Sequence, residues 1–176
     1  MALRKIVLQG DEILTKVCRP VSNFDERLHE LLDDMKETLL QANGVGLAAP
    51  QVGILRRAVV VMNDEEEILE LINPEIIGAE GEQTGPEGCL SIPGKTGMVT
   101  RPEFVRVRAQ DRDGNWFEAE GYDLTARCFC HELEHLDGHL YTEHIDHFLS
   151  DEELLAYYKE QGYDVEEIEK EDGGEA

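Results

Sequence analysis

The run Cys130-His131-Glu132-Leu133-Glu134-His135-Leu136-Asp137-Gly138 sets the terms for the whole chain. On a helix, residues four apart lie on one face a turn from each other, so His131 and His135 can offer two imidazoles to a single metal ion. Glu132 falls beside them. It is poorly placed as a third ligand but within reach of a water on the same metal, where a carboxylate can act as general base. The plain alternative is an exposed helix that merely carries two histidines, and the five-residue spacing outweighs it. The rest of the chain is then expected to supply a third ligand, a stabiliser for a developing oxyanion and a groove for substrate.

Length and charge bound the answer. A chain of 176 residues fits one domain with a real core. Sixteen Lys plus Arg against 39 Asp plus Glu give a net charge of −23, which argues against binding nucleic acid over a broad surface. Residues 151–176 alone hold 11 acidic and 2 basic side chains. Met1 to Lys5 leads into only a few apolar residues before Gly10, unlike a signal peptide, and no apolar run approaches the ~20 residues of a membrane span. These features predict a soluble cytoplasmic protein, away from membranes, whose cysteines at 18, 89, 128 and 130 stay reduced and free to bind metal.

In chain order, residues 4–22 read as an irregular, partly extended arm with a turn near Cys18-Arg19-Pro20. Leu28, Leu31, Leu32, Met35, Leu39 and Leu40 recur at helical spacing, and the stripe predicts a core-packed helix ending at Asn43-Gly44 with glycine as the left-handed cap. Gly44-Val45-Gly46-Leu47-Ala48-Ala49-Pro50-Gln51 superficially matches a dinucleotide fingerprint, but a helix precedes it and Pro50 follows, so that reading fails on context. What remains is a close-packed loop whose glycines let the backbone approach another surface, with Gln51 presenting an amide. Arg57–Met62 reads as a buried strand, Asn63–Glu67 as an acidic turn and Ile68–Ile72 as the hairpin partner, broken by Asn73-Pro74 before another strand over Glu75–Gly81. Gln83–Gly97, rich in glycine and proline, predicts loop. Phe104–Ala109 and Trp116–Gly121 pair across the turn Asp111–Asn115. The histidine helix is expected to start near Asp123, capped by its side chain, and to stop at Gly138. Ser150-Asp151-Glu152-Glu153 is a capping box for a last helix reaching Gly162, and the acidic residues 164–176 are expected to be frayed or disordered beyond a single domain over 1–163.

The third ligand decides the kind of enzyme. An extended metallopeptidase motif needs histidine at position 141, which is Tyr141. A zinc metallopeptidase with a late glutamate ligand has candidates in Glu152, Glu153 and Glu160. Cys128 lies a turn beyond His131 on the side away from His135 and reads as core or pocket wall; Cys130 points off the histidine face. Cys89, on a separate segment, meets no such obstacle, so two alternatives stand.

Three separated segments together resemble the peptide deformylases: Gly44 to Gln51, Glu87-Gly88-Cys89-Leu90-Ser91, and His131-Glu132-Leu133-Glu134-His135, over roughly residues 4 to 150. The resemblance implies removal of the formyl group from the N-terminal formylmethionine of newly made proteins, releasing formate. It implies Cys89, His131 and His135 as ligands to one divalent metal per chain, Fe²⁺ in the cell, with Zn²⁺, Ni²⁺ or Co²⁺ as substitutes. Glu132 is implied as general base and acid, and the Gln51 side-chain amide and Leu90 backbone N–H as oxyanion donors. Gly46 resembles the family's backbone contact to substrate, with Val45, Leu124 and Cys128 lining a methionine pocket. The fold implied is α+β: short antiparallel sheets around the histidine helix, with an N-terminal and a C-terminal helix. Glu134 stands where the family usually has aspartate, and its expected role is an ion pair with Arg101 or Arg127. The implied partners are nascent formylated polypeptides and, transiently, the ribosome. The acidic tail argues against docking there by a basic C-terminal helix.

Overall fold

In the computed structural model, which describes residues 2–163, the leucine stripe winds into helix α1 (Glu26–Gln41), whose start is capped by the Asp25 carboxylate on the Leu28 N–H. Its end departs from the glycine expectation: Asn43, with φ 54°, takes the left-handed conformation. Asparagine tolerates that region better than most residues, which frees Gly44 for another need. A Cβ at Gly44 would collide with the Leu39 and Leu90 side chains.

Seven strands follow: β1 (Gly46–Ala48), β2 (Ala58–Met62), β3 (Ile68–Glu80), β4 (Gln83–Cys89), β5 (Ile92–Arg101), β6 (Phe104–Gln110) and β7 (Trp116–Tyr122). Helices α2 (Asp123–Leu136) and α3 (Asp151–Glu160) complete an α+β fold. An antiparallel five-stranded sheet runs in the order β1-β2-β3-β6-β7, and β4-β5 form a separate antiparallel pair. β2 shows why the large sheet sits where it does. Val59 and Val61 join the core beneath α2 with Val105, Val107, Ala126 and Phe129, whereas Ala58 and Val60 face the α1 leucines. Alternate side chains point to opposite faces, so an all-apolar strand covered on both sides is what Ala58–Val61 specifies.

Three expectations need correction. β3 runs through Asn73-Pro74 without a break, because a register shift between Ile72 and Glu75 forms a bulge there. Proline lacks a ladder donor and fits where the ladder is already interrupted, while the Asn73 amide ties the arm by accepting from Val21 N–H and donating to Val21 O. The Gln83–Gly97 loop is largely the β4–β5 pair, with even Pro86 opposite Met98. Gly44–Gln51 likewise resolves into β1 and a 3₁₀ turn over Ala49–Val52.

The ends of α2 follow the glycine expectation but not the cap. Tyr122 is the N-cap, and Asp123 is the first helical residue, with φ 50° and no side-chain cap bond. Its carbonyl instead accepts from Gln83 Nε2 at 2.6 Å. Gly138, with φ 80°, follows the end. α3 begins at the Ser150–Glu153 capping box as expected. The arm adds a 3₁₀ turn at Glu12–Thr15 and pairs Arg19 with Arg56. The expectation for residues 164–176 lies outside the described residues. Among those described, no helix is long and apolar enough to cross a membrane, and the four cysteines are free.

Candidate metal centre

Helix α2 buries Ala126, Phe129, Leu133 and Leu136 against the large sheet, which turns His131, Glu132 and His135 toward β1 and the end of β4. Cys89 is the last residue of β4, reached through a register shift after Glu87. There its sulfur lies 3.4 Å from His135 Nε2, and the two Nε2 atoms of His131 and His135 are 3.2 Å apart. Among the described residues, Cys89, His131 and His135 form the cluster of metal-type donors, all within 4.8 Å of one another. Glu152, Glu153 and Glu160 are outside it. They ride on the exposed helix α3, where Glu153 is engaged by Ser150 and His147.

Glu87 organises the cluster, and the sequence reading did not single it out. Its carboxylate accepts from Arg101 at 3.1 and 2.7 Å, from Arg127 at 3.0 Å and from His131 Nδ1 at 2.8 Å. Burial alone would raise its pKa, but the hydrogen bonds and charges of His131 and Arg101 outweigh that and hold it at about 2. The ionised Glu87 holds a proton on His131 Nδ1, so that the other nitrogen, Nε2, which faces Cys89 and His135, is the one left to bind a metal in place of its own proton. Glu87 sits two residues before Cys89 on β4, near enough for both to reach the cluster although a register shift separates them. Reading this stretch as loop hid that signal. Glu134 pairs with Arg101 at 2.5 Å, not Arg127, and its longer side chain also meets His144 Nε2 at 3.0 Å.

Glu132 is 4% exposed, and its Oε1 is buried without a partner, 4.0 Å from His135 Nε2. Burial pushes its pKa up to about 7, partly offset by the His131 and Arg101 charges. The surface that Gly46 was expected to approach is this carboxylate, since a Cβ at Gly46 would overlap it. Gln51 Oε1 accepts the Ala48 N–H at 2.9 Å, and Nε2 donates to Ser91 Oγ at 3.1 Å and Cys89 Sγ at 3.4 Å. A cavity of about 460 Å³ opens onto Cys89, His131 and Glu132, and Val45, Gly46, Gln51, Leu90, Leu124 and Cys128 all line it. Val45 and Leu124 are 40% and 53% exposed, leaving apolar surface at the mouth. Cys130 is in the core, as expected.

The residues fit a metal ion. One thiol and two imidazoles converge, and a buried carboxylate oxygen beside them has no hydrogen-bond partner among the described residues. Three such ligands with an adjacent acid–base group define the class of mononuclear metal hydrolases. Comparison with known proteins narrows the class. The polypeptide deformylase profile matches residues 3–150. A peptide deformylase of Agathobacter rectalis is 58% identical over 151 residues, covering 86% of this chain and 95% of the relative. The crystal structure of the Thermotoga maritima peptide deformylase superposes with a TM-score of 0.79 at 36% identity, over 84% of this chain and 100% of that one. A class I type b peptide deformylase from Acinetobacter baumannii, bound to Met-Ala-Ser, gives 0.77 at 34% identity, over 82% and 99%. The chain belongs to the peptide deformylase family, metal-dependent enzymes that remove the N-terminal formyl group from polypeptides.

Proposed function

We propose that residues 1–163 form one catalytic domain in which Cys89, His131 and His135 hold a single divalent ion and Glu132 moves the proton during deformylation. The convergence of those donors beside the unpartnered Glu132 oxygen carries this reading. When bound, the ion supplies Lewis acidity, easing deprotonation of a water and polarising the formyl carbonyl. Glu132 accepts the proton of the attacking water and returns it to the departing amine, so one water and one formyl-methionyl peptide give formate and a peptide with a free N-terminus. The Gln51 Nε2–H and Leu90 backbone N–H stabilise the oxygen as it gains charge. Gly46, at the cavity edge on β1, offers its backbone to the peptide, and Val45, Leu124 and Cys128 receive the methionine side chain. The Met-Ala-Ser bound by the A. baumannii relative supports a methionine-first peptide in this cavity.

Fe²⁺ is the ion proposed for the cell, on family resemblance, because this donor set alone suits zinc equally. Zn²⁺, Ni²⁺ or Co²⁺ would substitute. The Cys89 thiolate is open to oxidation, which makes anaerobic handling the appropriate condition. Nascent formylated chains in the cytoplasm are the proposed partners, with any ribosome contact made without a basic C-terminal helix. Formate release from a formyl-methionyl peptide tests the mechanism. Glu132→Gln should keep its metal and fold while turnover falls about 10²–10⁴-fold, since the amide cannot shuttle a proton. Turnover equal to wild type would remove Glu132 from the reaction.

A further inference from the structure

We propose that Ser91 is a positioning residue that aims the Gln51 amide at the reacting oxygen, an inference that rests on reading Gln51 as an oxyanion donor. Ser91 is 1% exposed and is not among the residues lining the cavity, so it acts without touching substrate. Its hydroxyl oxygen is 3.1 Å from Gln51 Nε2.

The torsion that turns a glutamine amide is broad, so one hydrogen bond leaves the amide plane free to swing. Besides the long contact of Nε2 with Cys89 Sγ, Gln51 has two anchors. The Ala48 N–H can only donate, which holds Oε1 on that side and leaves the NH₂ group toward Cys89 and Ser91. Ser91 Oγ then takes one of the two amide hydrogens. The other is left on the side of Cys89 Sγ, at the ligand cluster, where the charged oxygen forms.

The backbones of both residues are held by the same arm. Val7 N–H donates to the Gln51 carbonyl at 2.7 Å, and Gln9 N–H donates to the Ser91 carbonyl at 2.8 Å. The two donors are two residues apart in the arm, so one short stretch ties the two partners side by side. The arm is itself fixed to α1 by Arg4, whose N–H and guanidinium donate to Thr38 and Asp34. Ser91 therefore meets Gln51 across a backbone frame already set.

A double-mutant cycle tests the proposal. Ser91→Ala, which removes a single oxygen, should lower kcat about tenfold while leaving KM for formyl-Met-Ala-Ser and metal content unchanged, the size expected for one buried hydrogen bond. In a Gln51→Ala background the same change should cost nothing more, because its only route of action is gone. In zinc-loaded protein labelled with ¹⁵N, one Gln51 side-chain amide proton should exchange faster in Ser91→Ala than in wild type. Equal losses in the two backgrounds, or Gln51 protons that exchange unchanged, would reduce Ser91 to a packing role and overturn the proposal. A fully active Gln51→Ala enzyme would instead overturn the donor reading beneath it.

Discussion

Glu87 on β4 and Glu70 on β3 are both carboxylates gripped by two cations, yet they do different work. Glu87, with a side chain 4% exposed, accepts from Arg101, Arg127 and His131 and thereby joins the small β4–β5 sheet to α2. Glu70, 13% exposed, takes Arg112 from the β6–β7 turn at 2.5 Å and Lys36 from α1 at 2.9 Å. Around Glu70 the large sheet and α1 already share an apolar core, so the charges trim a structure that burial holds. Among the described residues the small sheet gives only Ile92 and Val99 as buried members to its apolar cluster, where they meet Tyr141 from the 3₁₀ turn Tyr141–His144, so its seating on α2 leans on charge. A fully buried charge with partners costs much to break, and a cluster whose cations still reach solvent costs less.

Removing each carboxylate sharpens that contrast. Glu87→Gln should lower stability by about 3–5 kcal/mol, because Arg101 and Arg127 lose their buried counter-charge. It should also weaken metal binding about 10–100-fold through loss of the anion behind His131. Urea unfolding and chelator competition read the two effects, and unchanged metal affinity would show that Glu87 serves only the fold. Glu70→Gln should cost about 1 kcal/mol or less, with metal affinity unaltered. Its effect should depend on pH. Burial would raise the Glu70 pKa, but Arg112 and Lys36 hold it below the ordinary 4.5. The unfolded chain therefore binds more protons in that window. The stabilisation is present above about pH 4.5 and fades as pH falls through the folded value, so wild type and variant should converge on acidification. A gap that stays constant below pH 4.5 would contradict the ion-pair account of Glu70.

The same contrast explains what could be read in the sequence. β2, β6 and β7 were legible because apolar residues alternate or run unbroken where a sheet meets a core. β4 and β5 were not, since Gly85, Pro86, Gly88, Gly94 and Gly97 look like breakers, and pairing in that hairpin is set by register rather than by an apolar face. The site was legible in its motifs and not in its frame. His131, His135, Glu132 and Cys89 came from spacing and family resemblance. Glu87, Arg101 and Arg127 are polar residues whose burial emerges only when three distant segments meet. Gly46 was read as a point of close approach, but the group approached, Glu132, lies 86 positions away in the chain.

Metal content of cysteine variants purified anaerobically is the most direct measurement of the account as a whole. Cys89→Ser should lose tight metal binding, because a hydroxyl is a far poorer ligand than a thiolate for these ions. Cys128→Ser and Cys130→Ser should each keep one metal per chain, since Cys128 forms cavity wall and Cys130 sits in the core. Wild-type metal affinity in Cys89→Ser would contradict the proposed centre and require a third ligand from elsewhere in the chain.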